Sequence, residues 1–283
     1  MSETAGDAAQ RLLLFDSGIG GLSVLHEIRR VLPSASIAYV ADDAGFPYGD
    51  WEEGALTDRV VALMEALIPQ HRPDLVVIPC NTASTLVLPA LRARFGVPFV
   101  GTVPAIKPAA ERTVSGVVSV LATPGTMKRE YTRDLIARFA STCHVRLVGS
   151  SELARYAEQA MRGDDVPDDA IAAEIAPAFL DLDGRRTDTI VLACTHYPFL
   201  IDRFRRLSPW PVTFIDPAEA IARRVLSVLE AEAEPEDRPM RPGLAFLTSG
   251  NPWPEGLILL LSAFALEPGT VSRDPVPFTE EGR

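Results

Sequence analysis

Lysine is almost missing from this chain of 283 residues: Lys107 and Lys128 are its only two. That leaves little room for chemistry that needs a Schiff-base lysine. Lys107 is wedged between Ile106 and Pro108, and Lys128 falls in a segment that reads as helix. Cysteine is scarce too. Cys80, Cys143 and Cys194 are too few for a disulfide scaffold, and no CxxC pair offers a zinc or redox site. The simple inference is a reducing, cytoplasmic setting and no bound metal. No apolar run reaches the ~20 residues that span a bilayer, so no membrane is expected as a partner. The N-terminus, Met1-Ser2-Glu3-Thr4-Ala5-Gly6-Asp7, is polar and acidic and does not read as a signal peptide. Positive charge is in deficit, with a net charge of −11. Such a surface argues against nucleic acid. A small anionic ligand stays admissible where backbone N–H groups at helix starts outweigh the overall field.

What is present is a regular alternation. Short apolar runs recur at Leu12 to Phe15, Ile37 to Val40, Leu75 to Ile78, Phe99 to Gly101, Val117 to Leu121, Val145 to Val148, Thr189 to Ala193 and Val212 to Ile215, with a late one at Leu244 to Thr248. Amphipathic stretches separate them: Leu22 to Val31, Thr57 to Gln70, Thr85 to Phe95, Met127 to Ala140, Glu152 to Met161 and Asp169 to Leu180, then Arg223 to Glu230. Strands apolar on both faces, alternating with helices, predict an α/β fold with parallel sheets covered by helices. The chain reads as two similar halves joined near Val103-Pro104-Ala105-Ile106. Glu232 to Pro242 is acidic and proline-rich and predicts a loop; from Pro268 onward the chain is expected to fray.

Two of the predicted strands end in cysteine. Leu75-Val76-Val77-Ile78-Pro79-Cys80 runs into Asn81-Thr82-Ala83-Ser84, and Thr189-Ile190-Val191-Leu192-Ala193-Cys194 runs into Thr195-His196-Tyr197-Pro198. A lone cysteine is usually a small core residue. Two in matched strand-to-helix contexts suggest a site, because ligands in parallel sheets sit at the carboxyl ends of the strands. A thiol at a helix N-terminus feels the positive end of the helix dipole, which can bring its pKa from ~8.5 into the range ~3.5–7.5. Two such thiols facing one pocket can take a proton from one side of a carbon and return one to the other. His196, two residues after Cys194, is placed to bias that thiol; His26, His71 and His144 suggest no role.

Asp16-Ser17-Gly18-Ile19-Gly20-Gly21 follows the first predicted strand. It is not a dinucleotide fingerprint, since Ser23 stands where the third glycine belongs, and no Lys-Ser/Thr follows to make a P-loop. Asp16 or Ser17 caps a helix there, sits at the site, or does both. Phe46-Pro47-Tyr48-Gly49-Asp50 is a turn-like cluster after the second strand and can reach the same mouth.

These segments together resemble the glutamate racemase family, cofactor-independent enzymes of the aspartate/glutamate racemase group. The matching residues are Asp16 to Leu22, Pro47-Tyr48-Gly49, Cys80 to Ser84 and Cys194 to Pro198, in that order. The resemblance implies two Rossmann-like lobes with the active site in the cleft between them, one from residues 1–102 and 213–283, the other from 103–212. It implies Cys80 and Cys194 as catalytic acid and base, with Asp16 and His196 beside them. It implies that Ser17, Tyr48, Gly49, Asn81, Thr82, Thr195 and Thr126, the last in Ala122-Thr123-Pro124-Gly125-Thr126, join Asp16 and His196 in binding substrate. Glu152 would support His196. The implied substrate is glutamate, without a cofactor, since related aspartate racemases generally carry Glu where this chain has His196. D-glutamate for peptidoglycan would be the product's use. Enzymes of this kind are often homodimers, but no interface is legible here. A pyridoxal phosphate enzyme, a two-lobed amino-acid-binding module, and a racemase of aspartate or a hydantoin remain as rival readings.

Overall fold

The computed structural model describes residues 9–128 and 130–270. In chain order it begins with β1 (Arg11–Asp16), α1 (Leu22–Val31), β2 (Ser36–Ala41), α2 (Glu53–His71), β3 (Leu75–Ile78), α3 (Asn81–Arg94) and β4 (Phe99–Gly101). It continues with α4 (Ile106–Arg112), β5 (Val117–Ala122), α5 (Pro124–Lys128), α6 (Glu130–Phe139), β6 (His144–Gly149), α7 (Leu153–Arg162) and α8 (Asp168–Ile175). A small hairpin of β7 (Asp181–Leu182) and β8 (Arg185–Arg186) leads to β9 (Thr189–Ala193), α9 (Ile201–Leu207) and β10 (Thr213–Ile215). The described chain ends with α10 (Ala218–Leu229), β11 (Gly243–Leu247), α11 (Glu255–Ala263) and β12 (Leu266–Pro268).

Apart from the antiparallel β7–β8 hairpin, the strands form two parallel sheets. The first has the order β12-β11-β2-β1-β3-β4, the second β10-β9-β5-β6. The central strands are apolar on both faces because helices cover both. Alternate residues of β1 enter opposite cores: Leu12 and Leu14 pack with α1 and α10, whereas Leu13 and Phe15 pack with α2 and α3. β9 divides in the same way, Ile190 and Leu192 to one side, Val191 and Ala193 to the other. Stripping a strand of this period-two pattern would remove one core entirely.

β10 pairs with β9, so residues 213–215 belong to the second sheet, not to the first lobe as expected. The chain returns one step later, when α10 packs against α1 through Ala218, Ile221, Ala222 and Val225. Where a helix was expected from Met127 to Ala140, the described residues are helical over Pro124–Lys128 and Glu130–Phe139. The fraying expected from Pro268 onward falls mostly on residues 271–283, which lie outside the described residues; Pro268 itself closes β12. Among the described residues no helix is long and apolar enough to cross a membrane.

Candidate active site

Each sheet reverses its strand order once near its middle. β2 and β3 lie on opposite sides of β1, and β6 and β9 on opposite sides of β5. Side chains beyond the carboxyl ends of such strands face an open crevice. Asp16 ends β1 and Cys80 follows β3; Thr123 follows β5 and Cys194 follows β9. Thus both cysteines stand at the reversal point of their own sheet.

The two crevices face each other. One cavity is lined by Ser17, Tyr48, Gly49, Cys80, Asn81 and Thr82 from the first sheet's loops, and by Thr123, Cys194, Thr195 and His196 from the second's, with Phe46, Pro47 and Ala154 completing the wall. Asp16 and Thr126 are one contact behind it. The Asp16 carboxylate accepts from Ser17 N (2.6 Å) and from Thr195 Oγ1 (2.9 Å). Thr126 Oγ1 lies 3.2 Å from the hydroxyls of both Thr82 and Thr123. The cavity is tightly closed, about 20 Å³, room for roughly one water. Cys80 is 6% exposed and Cys194 8%.

The expected lowering of a thiol pKa does not hold for Cys80. Burial pushes it well above the ordinary cysteine value, and the Asp16 carboxylate adds to that. The Ala83 N–H at the start of α3 and the Ser17 hydroxyl pull the other way without prevailing. Cys80 is therefore a neutral thiol at pH 7. Iodoacetamide at pH 7 is expected to modify Cys80 more slowly than free cysteine, because the thiolate is the reactive form. Mass analysis of the Cys80 peptide over time checks this, and rapid labelling would show an accessible thiolate there.

The Cys194 side differs. Its Sγ lies 3.8 Å from His196 Nδ1, and His196 Nε2 lies 3.0 Å from Glu158 Oε1. Burial opposes charge on the ring, but hydrogen bonds and charge interactions with Cys194 and Glu158 outweigh it. The His196 pKa is held well above the ordinary value, so the ring carries a proton at neutral pH. Burial likewise opposes the Glu158 charge, but His196, the Ile19 N–H (2.8 Å) and Arg162 keep its pKa below the usual carboxylate value. The acid hydrogen-bonded to His196 is Glu158, not Glu152, which precedes α7. The signal for Glu158 was in the sequence: it falls on the apolar stripe Leu153, Ala154, Ala157 of α7, where a lone charge needs a partner.

Three further placements bear on binding. Both polar atoms of the Asn81 side chain are buried without a partner, so a ligand bearing donor and acceptor groups would satisfy them. The Tyr48 hydroxyl instead donates to Asp42 Oδ2 (2.6 Å), leaving its ring as wall. The glycine loop after β1 is pressed against the second lobe. A Cβ at Gly20 would lie 2.4 Å from Thr195 Oγ1 and 2.5 Å from His196 Nδ1; one at Gly18 would lie 2.3 Å from Glu158 Oε1. These glycines serve close approach between lobes, which explains a glycine-rich loop that fits no phosphate motif.

Neither lysine lines this cavity. Lys107 pairs with Glu111 on α4 and borders a larger cavity of about 510 Å³ at the two crossings between lobes, which contains neither Cys80 nor Cys194. Both cysteines line the small cavity, which makes it the candidate active site. Among the described residues no group of three or more His, Cys, Asp or Glu side chains is placed to hold a metal ion.

Residues 23–225 match the family described as Asp/Glu/Hydantoin racemase. The glutamate racemase of Brucella anthropi is 59% identical over 249 residues, 88% of this chain and 90% of that one. The glutamate racemase of Agrobacterium fabrum is 59% identical over 252 residues, 89% and 92% of the two chains. Among solved structures, Escherichia coli glutamate racemase in complex with L-glutamate and the activator UDP-MurNAc-ala superposes with a TM-score of 0.83 at 42% identity, covering 92% of this chain and 97% of that one. The chain belongs to the Asp/Glu/Hydantoin racemase family, and its likeness to the glutamate racemases runs along nearly its whole length.

Proposed function

We propose that this racemase interconverts L- and D-glutamate by a two-base reaction at the α-carbon, with Cys194 and Cys80 on opposite faces of the substrate. The observation that carries this reading is the convergence of both cysteines on one cavity from two different sheets. The relatives named above support glutamate as the substrate. With L-glutamate bound, Cys194 accepts the α-proton, with His196 Nδ1 3.8 Å from its sulfur. Cys80, a neutral thiol, gives its proton to the other face. The C–H bond breaks to sulfur on one side and forms from sulfur on the other. The protonation states of the two thiols are thereby exchanged, and they reset by proton exchange with solvent. The reverse direction uses the same groups with their roles swapped.

Acid–base catalysis contributes only ~10²–10⁴-fold, so the weakly acidic α-proton demands more. The rest comes from donors held toward the carboxylate as charge builds: the Asn81 amide and the cluster of Thr82, Thr123 and Thr126, in a cleft dry enough to strengthen them. A cleft this tight must part to admit substrate. Supply of D-glutamate to peptidoglycan in the cytoplasm is the matching role. The test is circular dichroism of pure L-glutamate with enzyme and no added cofactor, run also in heavy water. The signal is expected to decay to zero, with deuterium at Cα of the D-product. A stable signal, or product without deuterium, sinks the proposal.

A further inference from the structure

Asp42 is a fully buried carboxylate just past the end of β2, beside Asp16. Four donors fill it. Arg59 of α2 binds it with both Nε (2.7 Å) and Nη2 (2.5 Å), Thr248 after β11 gives its hydroxyl (2.5 Å), and Tyr48 gives its phenol (2.6 Å). A buried ion pair is poor evidence for stability alone, since well-packed apolar residues often serve as well. Its distinctive property is direction: four bonds at fixed angles hold four segments in one arrangement. One of those segments is the turn Phe46–Gly49, which forms part of the cavity wall opposite Thr123. The turn is packed onto the pair. A Cβ at Gly45 would lie 2.6 Å from Asp42 Oδ2 and 2.8 Å from Arg59 Nε, and Trp51 Nε1 donates to Gly45 O (2.8 Å) while its ring faces the Arg59 guanidinium.

We propose that Asp42 is a positioning residue for substrate binding: held by Arg59 and Thr248, it fixes the Tyr48 ring and the Phe46–Gly49 turn against the substrate through the Tyr48 hydroxyl. Asp42 never touches substrate. The proposal rests on the glutamate reading for its kinetic arm only. A misplaced wall weakens ground-state and transition-state binding alike, which raises KM and leaves kcat nearly unchanged.

The test is a double-mutant cycle of Asp42→Asn and Tyr48→Phe, with hydrogen exchange of residues 45–51 measured without substrate. Each single variant is expected to raise KM for glutamate roughly tenfold, with kcat within about threefold, from loss of a hydrogen bond to a charged group. The double variant is expected to be no worse than Asp42→Asn alone, because that variant already weakens the Tyr48 contact along with those of Arg59 and Thr248. Exchange in residues 45–51 should quicken in both. Additive effects on KM would mean that Tyr48 binds substrate on its own account, and would overturn the proposal; so would unchanged KM and unchanged exchange. If Asp42→Asn fails to fold, Tyr48→Phe, which keeps the Asp42–Arg59 pair, decides by the same two readouts. If the wild type leaves glutamate untouched, the glutamate reading fails, and the exchange of residues 45–51 still decides this one.

Discussion

Alanine at Cys80 or at Cys194 is expected to abolish racemisation of both isomers. Inversion needs a base on one face and an acid on the other, and neither sulfur can reach both faces from its own sheet. Removing either should cost at least the ~10²–10⁴-fold of the acid–base contribution in both directions. Stability should change little, since cysteine and alanine are both small and buried surroundings tolerate the exchange to within about 1 kcal/mol. The checks are polarimetry from each isomer and thermal unfolding of each variant. Retained inversion of either isomer in either variant would end the two-base reading. Loss of inversion with one-sided exchange of the α-proton into heavy water would support it, because the remaining thiol still faces its own isomer.

Gly20→Ala should be nearly as damaging for a different reason. The new methyl would stand 2.4 Å from Thr195 Oγ1 and 2.8 Å from His196 Cε1, both buried and held on other sides by Asp16 and Glu158. Something must move, and what moves is the support of the Cys194 sulfur. Displacing a catalytic group by about 1 Å is worth ~10²-fold in rate. The cost in stability is that of overpacking, about 1–3 kcal/mol. The measurement is kcat/KM beside the midpoint of urea unfolding. An active Gly20→Ala enzyme would show that the lobes do not meet as described during catalysis.

Much of the framework was legible because each element carried its own periodicity. β3, β4 and β9 match their expected bounds, since apolar β-branched runs bounded by Pro, Gly or Cys have sharp edges. α11 is not legible because it is apolar nearly throughout and shows no helical face, nor is α4, because Pro108 interrupts it. β10 is legible as a strand, but its lobe is not. A three-residue run says nothing about which sheet it joins; that is set by pairing with Thr189 to Val191. At the site, residues following a strand end were legible. Residues arriving from elsewhere in the chain were not: Glu158 comes from a helix face, and Arg59 and Thr248 converge on Asp42 from positions 17 and 206 residues away. The glycines of the first loop were visible at once, but their purpose depends on a surface that only the second lobe supplies.

His196 stands beside one sulfur of the pair and not the other. Enantiomers in water have equal free energy, so the ratio of turnover number to Michaelis constant must be the same for both, however lopsided the protein is. The lopsidedness therefore shows in the two constants separately. The mirror-image substrates should saturate the enzyme at unequal concentrations and turn over at unequal maximal rates, in the same proportion. A single charged imidazole thus makes the catalyst handed while leaving it unable to favour either hand at equilibrium.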